Sequence, residues 1–312
     1  MVLKIVAACV VFGGSVSCAE TVALPKKVAI TQIVEHPALN RTRQGVEDGL
    51  KKSGIPVEII YENAQGNLVT ATQIIQHFVS QGPDLIVAIA TPSAQTAVTG
   101  GGDIPVVFAA VSNPQAAGLL ESANRHRVVG TIDLPPVADQ LTYFKAVLPH
   151  LKRVGVIYNP GEANSRDFVE ALKGLKDRFG LEVVESAITR TSDVSLGIQK
   201  LLGEKVDAIL LPQDNTVVSA LDVVVNLSQA AWTPLLTSDS ELVGRGAFAA
   251  IGYNHYDTGL ATAELVKKIL TGTPPKDLPV VPGGKLERLV NGKLINLWKI
   301  TVPRNAKGTV VE

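Results

Sequence analysis

The sequence predicts an α/β protein of two similar Rossmann-like lobes, each a parallel sheet wrapped by helices, with a hinge and a cleft between them. Three observations carry this. Short apolar runs alternate with amphipathic helical segments along the chain. The first half can be laid beside the second with its turns in step. The composition, 46% hydrophobic but only 4% aromatic, suits aliphatic strands buried on both faces.

Residues 1–20, MVLKIVAACVVFGGSVSCAE, carry one early lysine, an apolar stretch from Ile5 and then small residues. This is the layout of a secretory signal, here assigned to residues 1–19, and it is too short to remain as a membrane span. Two processing routes are open. GSVSC resembles a lipobox, which would make 1–17 the leader and Cys18 the acylated N-terminus, although Ser15 stands where that motif prefers leucine. Ser17-Cys18-Ala19 also fits ordinary cleavage before Glu20. Cys9 and Cys18 are the two cysteines of the chain, so the exported part carries no disulfide and no cysteine metal site.

Strands are predicted at 27–33, 57–62, 85–90, 105–111, 153–159, 182–188, 208–213, 233–238 and 246–252, where Val, Ile, Ala and Leu cluster. Helices are predicted at 38–53, 68–81, 93–99, 137–148, 163–179, 194–203, 216–231 and 256–271. Strands alternating with helices of that length imply βαβ units and a parallel sheet. In both halves Lys-x-Val opens a strand, a proline-containing loop leads to a helix that ends near Gly54 or Gly180, and a second strand follows. A polar loop, a second helix and a third strand then end on hydroxyl, proline and amide residues.

Those strand ends are where function is expected, because open parallel sheets bind ligands beyond the carboxyl ends of their strands. Thr91-Pro92-Ser93 follows one such strand. Proline suits the first helical turn, and the free N–H groups there favour an anion such as a carboxylate. The other strand ends supply Gln32, Glu35, His36, Ser112, Asn113, Asn159, Asn164, Ser165, Asp214, Asn215, Ser238, Asp239 and Tyr253. Asp214 and Asp239 are read as receivers of an ammonium group. Asn159, Asn164 and Ser165 either bond the ligand or cap a helix.

Balanced charge, with Lys+Arg and Asp+Glu at 29 each, and the lack of any basic run exclude a nucleic-acid footprint. None of the five histidines, His36, His77, His126, His150 and His255, forms an H-E-x-x-H pair, and no nucleophile elbow, phosphate loop or dinucleotide fingerprint appears. No catalytic residue, metal or cofactor is therefore expected.

The stretches TQIVEHPALNRTRQGVEDGL, IATPSAQTAV, PVVFAAVSNPQAAGL, VDAILLPQDNTVVSAL and GAFAAIGYNHYDTGLATAELVKKILTGTPPKDLPV together resemble the ABC-transporter substrate-binding proteins of the tryptophan/tyrosine-binding type. The resemblance runs from about residue 27 to about residue 303. It implies a type I periplasmic-binding-protein architecture that holds a small amino-acid-like ligand, aromatic in these relatives, between its lobes. It also implies delivery to an ABC permease by a monomer outside the cytoplasmic membrane, which it contacts through the permease or through a lipid on Cys18. A ligand-binding sensor component and an exported α/β enzyme for a small polar substrate are the alternatives. The lobes it implies are 27–132 with 250–274, and 133–249 with 275–303, followed by a tail at 304–312. Asn113 departs from the pattern, which has aspartate before the proline.

Overall fold

The computed structural model describes residues 24–134, 136–304, 306 and 308–312; the predicted leader, with Cys9 and Cys18, lies outside the described residues. The first lobe runs β1 (Lys26–Gln32), α1 (Pro37–Lys52), β2 (Val57–Asn63), α2 (Leu68–Gln81), β3 (Leu85–Ile89), α3 (Thr91–Gly100), β4 (Val106–Val111) and β5 (Val128–Ile132). The second continues with α4 (Val137–Val147), β6 (Arg153–Tyr158), α5 (Ala163–Phe179), β7 (Glu182–Ala187), α6 (Val194–Gly203), β8 (Ala208–Leu211), α7 (Asn215–Val218), α8 (Leu221–Ala230), β9 (Leu235–Thr237) and β10 (Ala249–Tyr253). The chain then returns to the first lobe for α9 (His255–Leu270) and β11 (Val281–Pro282). It ends in the second lobe with β12 (Leu286–Asn291), α10 (Gly292–Trp298) and β13 (Thr309–Val311).

The internal repeat becomes a repeated topology. The first sheet is ordered β11-β5-β4-β3-β1-β2 and the second β13-β12-β10-β9-β8-β6-β7. Each therefore contains a doubly wound 2-1-3-4-5 run, with its switch point between the first and third strands of that half. Parallel pairing holds throughout except between β10 and β12. Side chains alternate across each strand, so Ala208 and Leu210 of β8 join one core and Ile209 and Leu211 the other. Helices on both faces explain why the strand reads as one apolar run.

The strand pairings move two lobe boundaries from where the sequence put them. β10 pairs with β9, so residues 249–253 belong to the second sheet and the crossing falls at Asn254–His255. β11 pairs with β5, which keeps the chain in the first lobe as far as Pro282. Pro275 opens a 3₁₀ turn inside that lobe instead of marking a crossing. The expected tail contributes β13, a parallel neighbour of β12. The helix predicted at 216–231 is broken at Ala220, whose φ of −109° and ψ of 30° lie outside the helical range.

Packing of α1 on α9 positions the cleft. A Cβ at Gly45 would lie 2.2 Å from the Tyr256 carbonyl oxygen, and one at Gly259 2.1 Å from that of Thr42, so only glycine permits this backbone approach. The two helices start side by side. Their first turns carry His36 and His255 to the same wall.

Candidate functional site

The two switch points face each other across the cleft, and the loops that leave them line a pocket between the lobes. The first lobe contributes His36, Ala38 and Leu39 after β1, Ala90 and Thr91 after β3, Ala110 and Ser112 at the end of β4, and His255. Opposite stand Asn164 after β6, Gln213, Asn215 and Val218 after β8, and Asp239 after β9, with Asp133 at the first crossing. The space left between these residues is narrow, with about 20 Å³ open to the centre of a water-sized sphere.

Backbone strain marks the first-lobe wall. Ala90 has φ 76° and ψ 158°, a region occupied almost only by glycine, and Ala110 has φ 53° beside a register shift between β4 and β5. Such conformations cost about 1–3 kcal/mol each and persist where surrounding structure enforces them, often at ligand sites. Ala90 precedes α3, whose start has no side-chain cap, so its first N–H groups are free for a ligand. Ser93 is fully buried there, and its Oγ has no partner.

The second-lobe wall is braced by carboxylates. Glu162 accepts from Asn215 N at 3.1 Å, Asn215 Nδ2 at 2.6 Å, Thr216 N at 2.9 Å and Thr216 Oγ1 at 2.8 Å. Asp214 accepts from Asn159 N at 2.6 Å, Ser165 Oγ at 2.6 Å and Val217 N at 2.8 Å. Burial, then the charge of Glu162, push the Asp214 carboxyl upward. Asp214 is fully buried and absent from the cavity wall. Its expected role as an ammonium receiver is therefore corrected: it caps α7 and ties that helix to the loop after β6.

The remaining charges meet at the cavity floor. His255 Nε2 and Asp239 Oδ1 are 2.9 Å apart and almost wholly buried. Burial alone would lower His255, but the bond and charge of Asp239 outweigh it and hold the imidazole above its ordinary value. Burial would likewise raise Asp239, yet the bond to His255 and that residue's charge keep it low. This is an ion pair across the lobes. Asp133 is pushed up to about 7, chiefly by burial.

Three buried atoms of cavity-lining residues have no hydrogen-bond partner in the protein: Asp133 Oδ1, Asn164 Oδ1 and His36 Nδ1. Asn164 Nδ2 donates to the Gln213 carbonyl at 2.6 Å, which fixes its Oδ1 as the free end. His36 Nε2 lies 3.4 Å from Asn215 Oδ1, and burial lowers its pKa, so a neutral ring carrying its proton on Nε2 leaves Nδ1 an acceptor. All three atoms can accept a hydrogen bond. Unpaired buried acceptors are costly.

Of the residues expected from sequence, His36, Thr91, Ser112, Asn164, Asn215 and Asp239 line the cavity, while Ser93 lies beneath the α3 start. Pro92 and Asn159 line the outer cleft, where Asn159 Nδ2 donates to Thr216 Oγ1 at 2.9 Å, and Glu35 lies on another rim. Gln32 braces its own lobe by donating to the Val34 carbonyl and to Asn40 Oδ1, Ser238 donates to Gln140, and Ser165 supports Asp214. Tyr253 ends β10, half-buried. Asn113 bonds Asp167 across the lobes. The sequence reading missed Asp133, Gln213, His255 and Glu162. His255 lies in the strand-end stretch YNHYDTG, and Asp133 directly follows a buried strand; those positions were the available signal. Among the described residues no group of His, Cys, Asp and Glu is arranged to hold a metal ion.

Residues 27–307 match the model of the ABC transporter substrate binding protein family. The chain is 35% identical over 272 residues to the tyrosine-binding protein of Clostridioides difficile strain R20291, covering 85% of this chain and 79% of that one. Its fold matches the ABC domain in complex with L-Trp from Streptococcus pneumonia, with a TM-score of 0.86 and 30% identity over 92% of this chain and 100% of that one. Against the ligand-free, open structure of an adhesive substrate-binding protein from Clostridium difficile the TM-score is 0.69, at 37% identity and 92% and 99% coverage. The score is thus higher against the tryptophan complex than against the open, ligand-free structure.

Proposed function

The chain belongs to the ABC transporter substrate-binding protein family, and from that premise we propose that its cavity holds a free amino acid with an aromatic side chain for delivery to an ABC permease. The observation that carries the ligand assignment is the set of unpartnered acceptors, Asp133 Oδ1, Asn164 Oδ1 and His36 Nδ1, which matches the three N–H donors of an α-ammonium. The α-carboxylate takes the uncapped start of α3, with the hydroxyls of Thr91 and Ser93. Ala38, Leu39, Ala90, Ala110 and Val218 provide the apolar part of the wall. The tyrosine- and tryptophan-binding relatives support that choice.

The protein works outside the cytoplasmic membrane as a monomer and releases its ligand unaltered. Among the described residues no helix is long and apolar enough to cross a membrane. Calorimetry with aromatic and aliphatic amino acids, sugars and nucleosides tests the assignment. Tryptophan or tyrosine binds best, and mass spectrometry recovers it unchanged after prolonged incubation. An uncharged sugar or nucleoside as the best ligand overturns the assignment.

Replacing Thr91 and Ser93 together by alanine removes two hydroxyls but leaves the helix start. Affinity for the amino acid should then fall by an amount equivalent to roughly one to a few kcal/mol. Calorimetry of the double variant checks this, and unchanged affinity would move the carboxylate elsewhere.

A further inference from the structure

We propose that Asn113 and Asp167 form a latch between the lobes, a positioning pair that sets the balance of open and closed forms without touching the ligand. Asn113 leaves the end of β4 in the first lobe, and Asp167 sits in the first two turns of α5 in the second. Asn113 Nδ2 donates to Asp167 Oδ2 at 2.7 Å. Neither residue lines the cavity.

The asparagine is held for this task at its other end. Its Oδ1 accepts from Ala116 N at 3.1 Å, which fixes the amide so that the NH₂ faces the carboxylate. The neighbouring Ser112 donates to Gln213 Oε1 across the same gap at 2.8 Å, so the loop after β4 meets the second lobe at two consecutive residues. Both bonds need the lobes in the arrangement seen here. An amide at residue 113 adds a charge-assisted bond to that form. A carboxylate of the same shape would keep the Ala116 contact and turn its second oxygen onto Asp167, opposing closure by like-charge repulsion.

Apparent affinity scales with the fraction of protein in the binding-competent form, so residue 113 tunes ligand capture from outside the ligand site. This rests on the cleft being a closing ligand site, and the test separates the two ideas. The chain beyond Cys18 has no cysteine, so dyes can be placed at Val69→Cys and Leu196→Cys. These exposed positions stand one on each lobe, at the starts of α2 and α6. Energy transfer then reports the closed population, while titration with L-tryptophan and L-tyrosine reports affinity.

Asn113→Asp should lower the closed population and weaken binding by about tenfold or more, with the thermal midpoint of the ligand-free protein unchanged. Asn113→Asp combined with Asp167→Asn restores the amide–carboxylate pair in the opposite sense and should bring both readings back to within about twofold of the parent. If Asn113→Asp leaves the closed population unchanged, or if the swapped pair fails to restore it, there is no latch. If neither amino acid binds the parent protein, the ligand assignment fails, and the closed population still decides the latch.

Discussion

Asp133→Asn lowers affinity for the amino acid by at least a hundredfold while the protein stays folded. Asp133 is buried at the crossing between lobes, and its Oδ1 has no partner in the protein. The variant has nearly the same shape but cannot offset an ammonium charge, and stranding a buried charge typically costs about 2–5 kcal/mol or more. Because burial pushes the Asp133 carboxyl up to about 7, the proton must leave before the ammonium can pair. Affinity therefore falls as pH drops below about 7, approaching tenfold per unit at the steepest. The ligand-free protein responds with the opposite sign. A carboxyl raised from 3.8 to about 7 contributes stability that is full below the lower value and is lost as pH rises through the upper one. Ligand-induced stabilisation should thus grow with pH. Calorimetry and thermal unfolding between pH 5 and 8 check both signs, and an Asp133→Asn protein that binds like the parent would place the ammonium elsewhere.

The topology was legible because two periodic signals agreed. Apolar runs spaced by amphipathic helices specified the sheets, and the repeat opened by Lys26-Lys27-Val28 and Lys152-Arg153-Val154 foretold two similar halves. The strand-end rule also found His36, Thr91, Ser112, Asn164, Asn215 and Asp239. It could not rank them. Whether a strand-end carboxylate faces a ligand or a backbone N–H depends on which loop folds over it, and that information is three-dimensional. Asp214 and Asp133 both follow apolar strands in the sequence. Asp214 is covered by the loop carrying Asn159 and Ser165, whereas Asp133 stands at a crossing where no donor reaches its Oδ1. One of the two boundaries failed at a proline pair: Pro274 and Pro275 punctuate a turn within one lobe, not a passage between lobes.

Asp214→Ala is the complementary experiment, with its largest effect on folding. The substitution strips the acceptor from Asn159 N, Val217 N and Ser165 Oγ at a fully buried position. Each stranded donor carries a desolvation penalty of about 1–3 kcal/mol, partly relieved because burial and the nearby Glu162 charge already disfavour the ionised carboxyl. A net loss of roughly 2–5 kcal/mol lowers the thermal midpoint by on the order of 10 °C. Asp214→Asn keeps one oxygen for a donor and should lose less. Well below its midpoint, the Asp214→Ala protein retains amino-acid binding within about tenfold, because Asp133, Asn164 and His36 still face the ligand while α7 keeps its four bonds from Glu162. Unfolding curves and calorimetry on the same sample separate the two carboxylates. If Asp214→Ala melts like the parent and loses its ligand, then Asp214 receives the ammonium and the brace around α7 is carried by Glu162 alone.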